Sequence, residues 1–384
     1  MIIHIPEITE ENGKICISSR VEVQDATTNF PEKLYFKFPG DHREFVTSRA
    51  DGFAASLLLL AAALGEDMEI RGEFSPRLLH SMNEYLRIFN NWFPRRIKII
   101  DIKCNNLKRQ DENSIKGAVV SAFSGGVDSF YTLWSHLPKN ETIPEYQVSH
   151  TLFIHGFDIP LEDEMSFIIC KQAYGKLIHN LGLKFLIVQT NTRQFLGEKI
   201  DWLYAFGSAL TGGALVLSGL ISRLFIPASH SYSDLFPLGS HPLIDHLLST
   251  ETLEIYHDGA TVSRFQKTKI ISKWNHTYSN LRVCWKNPNG LANCCHCEKC
   301  IRTMVTLKLL GCLNSYTTFP VPLRRKNIYK CRFFGKSERR FALDIINQAV
   351  SMGRISTAFD LCYSLFISII IDLFKKIKIF VVKT

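Results

Sequence analysis

Ser124-Gly125-Gly126-Val127-Asp128-Ser129 is the most informative stretch of the chain, because of what stands on either side of it. An apolar, β-prone run at 118–123 precedes it, and a helix-compatible run at 130–134 follows. The two glycines therefore fall at a strand-to-helix turn, where glycine permits positive φ and lets a ligand approach the main chain. The start of the next helix offers free N–H groups and a positive dipole end, which together favour a phosphate.

Residues 116 to about 310 alternate predicted strands and helices. The strands are expected at 118–123, 151–155, 185–189, 223–227 and 253–256, and the helices at 129–136, 162–181, 201–219 and 234–248. This alternation predicts an α/β fold with a parallel sheet and helices on both of its faces. Ligands bind such sheets at the carboxyl ends of the strands, so residues just beyond each strand are site candidates.

Polar residues follow the second and fourth predicted strands. His155 and Asp158 are candidate catalytic residues, as acid–base groups or substrate contacts, and His155 is also a candidate nucleotide contact. A local turn role is equally open for both, because Asp158-Ile159-Pro160 is a turn signal. Ser229 and His230 are expected to contact the nucleotide.

The fifth predicted strand is followed by two basic residues. Arg264 and Lys267 could meet phosphates there or face solvent. Asp128, the third candidate catalytic residue, could position Mg²⁺ or cap its own helix.

Four of the eleven cysteines have the spacing of a metal site. Cys284 is followed by Cys294, Cys297 and Cys300, a C-x9-C-x2-C-x2-C array. Two successive C-x2-C pairs can place three thiolates on one tetrahedral metal, and Cys284 can complete the set. We expect a structural Zn²⁺ site, with an iron–sulfur cluster as the alternative. A metal site that uses Cys295 in place of Cys294 is a further alternative.

The remaining segments suggest two further units. Residues 1–112 contain β-prone runs at 14–17, 34–38 and 97–102 and apolar helices at 51–64 and after 76, which predict a smaller α+β accessory domain. Residues 113–312 would form the main domain, with the cysteine element at 284–300. Residues 313–384 would be a basic extension, since 323–384 carry thirteen Lys/Arg against four Asp/Glu.

The charge and composition indicate which partners and which cellular compartment to expect. The formal net charge is +9, and the C-terminal excess would suit nucleic acid, an acidic protein or a solvated surface. The apolar stretches are short or broken by charges, so no signal peptide and no transmembrane helix is expected. Reduced cysteines grouped for a metal predict a cytoplasmic protein. A homodimer is compatible with the sequence.

The hexapeptide resembles the PP-loop, S-G-G-x-D-S, of the ATP pyrophosphatase superfamily. Together with the cysteine array, residues 116–310 resemble the 7-cyano-7-deazaguanine synthase family, as a divergent branch. The resemblance implies that Ser124, Gly125, Gly126, Val127, Asp128 and Ser129 hold ATP and that the four cysteines hold Zn²⁺. The family has glycine where this chain has Cys295, and the segments at 153–158 and 229–234 do not match its substrate site.

The resemblance implies an enzyme of the ligase type. ATP and Mg²⁺ would activate a carboxylate or carbonyl substrate as an adenylate, and a nitrogen nucleophile would then displace AMP. The acid or amine could be a small molecule or part of a macromolecule, in specialised biosynthesis or in bacterial antiviral defence. Two alternatives stand beside this: a sulfur-transferring, tRNA-modifying PP-loop enzyme, and a nucleic-acid- or partner-binding protein with a degenerate nucleotide site.

Overall fold

The computed structural model describes residues 1–25, 27–111, 116–197, 199–286 and 290–383. The strands are β1 (Ile2–Ile3), β2 (Glu7–Glu11), β3 (Lys14–Glu22), β4 (Lys33–Pro39), β5 (Met68–Ile70), β6 (Ile102–Cys104), β7 (Ala118–Ala122), β8 (His150–His155), β9 (Lys184–Thr190), β10 (Ile221–Pro227) and β11 (Glu254–Asp258). The helices are α1 (Asp51–Leu64), α2 (Pro76–Trp92), α3 (Val127–Ser135), α4 (Glu164–Asn180), α5 (Thr192–Leu196), α6 (Trp202–Leu215), α7 (Arg264–Ile271), α8 (Glu298–Leu309), α9 (Arg325–Lys330), α10 (Lys336–Ser351) and α11 (Ile355–Lys383).

One mixed, largely parallel sheet runs through these elements in the order β11-β10-β7-β8-β9-β4-β3-β1-β5-β6, with β2 paired to β3. The strands β7 to β11 pair in parallel, which confirms the predicted α/β architecture. Every residue of β7 and of β8 is buried, as expected for parallel strands that helices cover on both faces. The carboxyl ends of these strands face one edge of the sheet, where the predicted site residues follow.

The N-terminal strands extend this sheet. Strand β4 pairs antiparallel with β9, where Phe36 lies opposite Thr190. The side chain of Asn191 strengthens the junction, because its Oδ1 accepts from Tyr35 N at 3.0 Å and its Nδ2 donates to Lys33 O at 3.0 Å. The predicted domain boundary at residue 112 lies outside the described residues.

Two predicted elements are wrong. The partial helix expected at 234–248 is an irregular segment with bends and a turn, between short 3₁₀ turns at Tyr232–Asp234 and Asp245–Leu248. Pro237, Gly239 and Pro242 oppose a helix there, because proline lacks an N–H and glycine carries a high entropic cost. The strand expected at 97–102 is reduced to β6, and its preceding apolar residues are part of a loop.

The basic extension forms three helices, α9, α10 and α11. Polar side chains fix the buried face of α11: Ser364 Oγ donates to Cys331 O at 2.6 Å, and Ser368 Oγ accepts from Phe333 N at 3.0 Å. In α11, residues Ile355–Lys375 are long and apolar enough to cross a membrane by length and composition alone, with mean hydropathy 1.8 and 33% of the window buried. One such helix is weak evidence for a membrane span, so the expectation of no transmembrane segment stays a prediction.

Candidate functional site

The turn between β7 and α3 uses its two glycines for different reasons. Gly125 has φ +77°, and a Cβ added to it would lie 1.9 Å from the hydroxyl oxygen of Tyr174. Gly126 has φ −83° and extended backbone, and its added Cβ would first meet Ser124 Oγ at 3.4 Å. The positive φ that glycine permits is therefore used at Gly125 and not at Gly126, where an added Cβ would make only ordinary contacts.

Backbone and side-chain hydrogen bonds fix the shape of this turn. Arg282 N donates to Gly125 O at 2.8 Å, and Ser129 Oγ donates to Gly126 O at 3.1 Å. Within the described residues, no side chain caps the start of α3. The starts of α1, α5, α8 and α10 are likewise uncapped, whereas α2, α4, α6 and α7 each begin with a side-chain cap. The first-turn N–H groups of α3 thus remain available to an anion.

Asp128 lies in the first turn of α3, but its carboxylate pairs with cations from α7. It contacts the Arg264 guanidinium, and its Oδ1 lies 3.7 Å from Lys267 Nζ. Lys267 is 1% exposed, and its ammonium donates to Ala228 O at 2.6 Å. Burial lowers the pKa of Lys267, while the nearby Asp128 carboxylate acts in the opposite direction. The structure therefore brings Asp128, Arg264 and Lys267 together at the ends of β7 and β10.

Ser229 and His230 follow β10 at the same edge of the sheet. His230 is buried, with its Nε2 3.1 Å from Ser337 Oγ and its ring stacked on Phe341 at 4.9 Å between centroids. Burial lowers the pKa of His230 to about 3, and the neighbouring Arg264 acts in the same direction. The imidazole is therefore neutral at physiological pH. Ser229 is half-buried beside it.

His155 lies at the end of β8 but is turned away from the glycine turn. Its Nε2 lies 3.0 Å from Pro160 O, and its ring stacks on Phe167 at 4.0 Å. A row of aromatic rings connects His155 to the glycine turn. The centroid of the Phe153 ring lies 5.9 Å from that of Phe167 and 5.5 Å from that of Tyr174. Burial also lowers the pKa of His155.

These contacts correspond to the local turn role that the sequence left open for His155. Asp158 is exposed on the same turn.

Arg302 and Phe341 also lie in the site, although neither residue was among those expected from the sequence. Arg302 lies on α8 and is 4% exposed, with its Cζ 4.1 Å from the centroid of the Phe341 ring on α10. Arg264 Cζ lies 4.5 Å from the same centroid. The only sequence pattern that could have identified Arg302 as a site residue is the presence of an arginine among the apolar residues of α8. Nothing in the sequence links Phe341 to the glycine turn.

The four predicted cysteines form a separate cluster. Their sulfur atoms all lie within 4.8 Å of one another, with Cys297 Sγ 3.3 Å and Cys294 Sγ 3.7 Å from Cys300 Sγ. Tetrahedral Zn²⁺ with Zn–S bonds of about 2.3 Å requires sulfurs about 3.8 Å apart, so the cluster fits the ion. The hydrogen bond between Cys297 and Cys300 lowers the pKa of Cys297 to about 5, which favours a thiolate.

Asn293 connects the two arms of this cluster. Its Oδ1 accepts from Val283 N at 2.8 Å and from Cys284 N at 3.0 Å, which holds Cys284 beside the other cysteines. Cys295 is buried outside the cluster, and its Sγ donates to Asn293 O at 3.2 Å. The structure thus groups Cys294, and not Cys295, with the other three. The sulfur geometry is compatible with Zn²⁺ and leaves the iron–sulfur alternative open.

No protein-family model, curated protein or solved structure matches this chain. The chemistry of the site must therefore be inferred from its own residues. The uncapped helix start and the cations of α7 suit a phosphate-bearing ligand. The donor set is less suited to Mg²⁺, because the Asp128 carboxylate that would bind it contacts Arg264.

Proposed function

We propose that this protein is an ATP-dependent enzyme that forms AMP and pyrophosphate by adenylating a carboxylate or carbonyl substrate for attack by a nitrogen nucleophile. The observation that carries the proposal is the uncapped start of α3, whose N-cap is Gly126, a residue with no side chain between its main chain and a ligand. Such a start binds phosphate oxygens through main-chain N–H groups. The resemblance of residues 124–129 to the PP-loop identifies the bond to be cleaved as the one between the α- and β-phosphates.

The reaction needs two displacements. An oxygen of the substrate attacks the α-phosphorus, the bond from that phosphorus to the β-phosphate bridging oxygen breaks, and pyrophosphate leaves. The nitrogen nucleophile then attacks the activated carbon, loses a proton and displaces AMP. Negative charge grows on the β-phosphate side in the first step, so fixed donors and cations at that side lower the barrier.

The chain offers such groups near the turn. The main-chain N–H groups at 124–129 would hold the departing pyrophosphate, and Arg264 and Lys267 would balance its charge. His230 stays neutral and can donate or accept a hydrogen bond without adding charge. Mg²⁺, when bound with ATP, would supply further charge compensation. Zn²⁺ at the four cysteines would stabilise the fold and take no part in the reaction.

The sulfur-transfer alternative is less well supported. It requires a reactive thiol near the nucleotide, and reactive thiols have a lowered pKa and access to solvent. Cys170 lies on α4, the helix that also carries Tyr174 beside the turn, but it is buried, and burial raises its pKa to about 11. The four cysteines with metal-site spacing form a cluster whose sulfur atoms lie within 4.8 Å of one another, which suits a metal ion. Carbon–nitrogen bond formation therefore remains the function that the geometry supports best.

Product analysis tests the proposal. The purified protein is incubated with ATP, Mg²⁺, ammonium and a panel of carboxylic acids that includes a deazaguanine carboxylic acid. We expect acid-dependent formation of AMP and pyrophosphate. ADP and phosphate as products would contradict the proposal, and dependence on a sulfur donor would favour the sulfur-transfer alternative.

A further inference from the structure

A second group of charged side chains lies between α7, α8 and α10, next to the glycine turn. Arg264 of α7 and Arg302 of α8 both place their guanidinium carbons over the Phe341 ring, at 4.5 and 4.1 Å from its centroid. Two cations held on one ring repel each other, and cation–π attraction offsets only part of that cost. The pair therefore calls for an anion between or beside the two guanidiniums.

Several polar atoms of this group are buried without hydrogen bonds. Arg264 Nε, Arg302 Nε and Arg302 Nη1 have no hydrogen-bond partner among the described residues. Glu298 Oε1 lies 3.3 Å from Arg302 Nε, which gives charge compensation, yet neither atom has hydrogen-bond geometry. Buried donors without partners are costly, so they indicate a ligand or water that completes them.

The carboxylates that face the pair compensate part of its charge but leave these N–H donors without hydrogen bonds. Asp128 contacts Arg264, and Glu298 lies beside Arg302, with Glu338 further away but still in electrostatic range of Arg302. Both guanidiniums also line a crevice whose wall includes Phe341 and Asp344. The crevice is narrow, about 10 Å³, so a single phosphate oxygen reaching into it would meet unused N–H donors on both arginines, with the Asp344 carboxylate also on its wall.

We propose that Arg264 and Arg302 form a binding site for the terminal phosphate oxygens of the nucleotide, with Phe341 positioning both guanidiniums. This rests on the proposed function and deepens it. Arg264 contacts Asp128, two residues after Gly126, so its guanidinium lies directly beside the turn that would hold the pyrophosphate. Guanidinium forks match phosphate oxygens in pairs of hydrogen bonds, which a lysine cannot do.

Calorimetric titration of the full-length protein with inorganic pyrophosphate, and separately with AMP, tests this site without turnover. We expect Arg302→Gln to weaken pyrophosphate binding by at least about tenfold, because the neutral amide cannot replace the charge-assisted hydrogen bonds of the guanidinium to phosphate oxygens. Arg302→Lys should recover little of the loss. AMP lacks the terminal phosphates, so its affinity should change less than about twofold, which corresponds to roughly 0.4 kcal/mol. Arg354→Gln, on an exposed arginine between α10 and α11, is the control and should bind both ligands as the wild type does.

Thermal unfolding checks that each variant folds. Should Arg302→Gln fail to fold, the less buried Arg264→Gln tests the same site, with the same expected loss. Unchanged pyrophosphate binding in a folded Arg302→Gln or Arg264→Gln variant, or no pyrophosphate binding by a wild type that binds AMP, would overturn the site. Failure of the proposed function is distinguishable, because it would appear as ADP among the products while pyrophosphate binding still depended on Arg302.

Discussion

The hydroxyl oxygen of Tyr174 stands 1.9 Å from the position that a Cβ on Gly125 would occupy. Tyr174 is fully buried on α4, and its hydroxyl donates to Ser124 O at 3.5 Å. The tyrosine therefore lies against the glycine turn at Gly125, while a Cβ on Gly126 would meet its first neighbour only at an ordinary contact distance of 3.4 Å. Gly125 is thus required for packing against Tyr174, whereas Gly126 is required for access of the ligand to the main chain. Substitutions at the two positions should therefore have different effects.

Replacing Gly125 should damage the fold. Alanine at φ +77° is strained and its Cβ would collide with Tyr174, so Gly125→Ala should lower the free energy of unfolding by about 2–4 kcal/mol. Gly117→Ala is a matched control, because Gly117 has φ +75° but its Cβ would meet no described atom within 4 Å. Chemical denaturation should show a loss of only about 1–2 kcal/mol for the control. Equal losses for the two variants would contradict the Tyr174 clash.

Replacing Gly126 should leave the fold intact and weaken the binding of the nucleotide. Its φ of −83° suits any residue and its Cβ would meet its first neighbour at 3.4 Å, so Gly126→Ala should change stability by less than about 1 kcal/mol. The added methyl group would stand where phosphate approaches the main chain. We expect ATP affinity, measured by calorimetry, to fall at least about tenfold, or 1.4 kcal/mol. Wild-type affinity in a folded Gly126→Ala would argue against phosphate binding at this turn.

The cysteine cluster predicts one bound metal per chain. Elemental analysis of the purified protein should find zinc, and Cys297→Ser should abolish it and lower the free energy of unfolding by more than about 4 kcal/mol. Cys295→Ser is the control, because Cys295 lies outside the cluster and serine can keep its hydrogen bond to Asn293 O. Iron with acid-labile sulfide would select the iron–sulfur alternative. Metal loss from Cys295→Ser alone would show that the ligand set is different.

The stability contributed by His136 should depend on pH. Its Nε2 lies 3.0 Å from Asp258 Oδ1 and its Nδ1 3.2 Å from Glu141 Oε2. Burial lowers the pKa of His136, but the two carboxylates outweigh it and leave the pKa above 6.5. A histidine whose pKa is raised in the folded state contributes its full stabilisation at pH values below its unfolded pKa. That stabilisation is lost as the pH rises through its folded pKa.

The destabilisation caused by His136→Asn should therefore be larger at pH 5.5 than at pH 8.5 in chemical denaturation. His230 supplies the opposite case, because its pKa falls to about 3 in the fold. An unfolded histidine binds its proton near pH 6.5, so acid below that pH selectively stabilises the unfolded chain. His230→Asn should lose relatively less stability at pH 5.5 than at pH 8.5. The same pH trend in both variants would contradict these assignments.

Local signals were sufficient for the parallel strands and for most helices. The apolar run at 118–123 and the alternation after it predicted β7 to β11, and Ser75 before Pro76 predicted the start of α2. The failure at 234–248 came from extending the strand–helix alternation through a segment that contains Pro237 and Pro242. Residues 113–115 and 287–289, within the predicted main domain and cysteine element, lie outside the described residues.

Long-range contacts were not predictable in the same way. The cysteine spacing identified the cluster, since metal ligands close in sequence must meet. The β4–β9 pairing, the Asp128–Arg264 contact and the arrival of Phe341 from α10 join residues far apart in the chain. Such contacts depend on packing across the whole fold, for which no local pattern exists. His155 shows the converse, since it follows a strand as the site residues do but its ring packs on Phe167.

Transfer of an isotope from the acid to AMP tests the central claim most directly. An acid that supports turnover is labelled with ¹⁸O in its carboxylate, and the AMP formed is analysed by mass spectrometry. Because a substrate oxygen attacks the α-phosphorus while the turn at 124–129 holds pyrophosphate, the AMP should carry one ¹⁸O atom. Unlabelled AMP, or label found in inorganic phosphate beside ADP, would contradict the account.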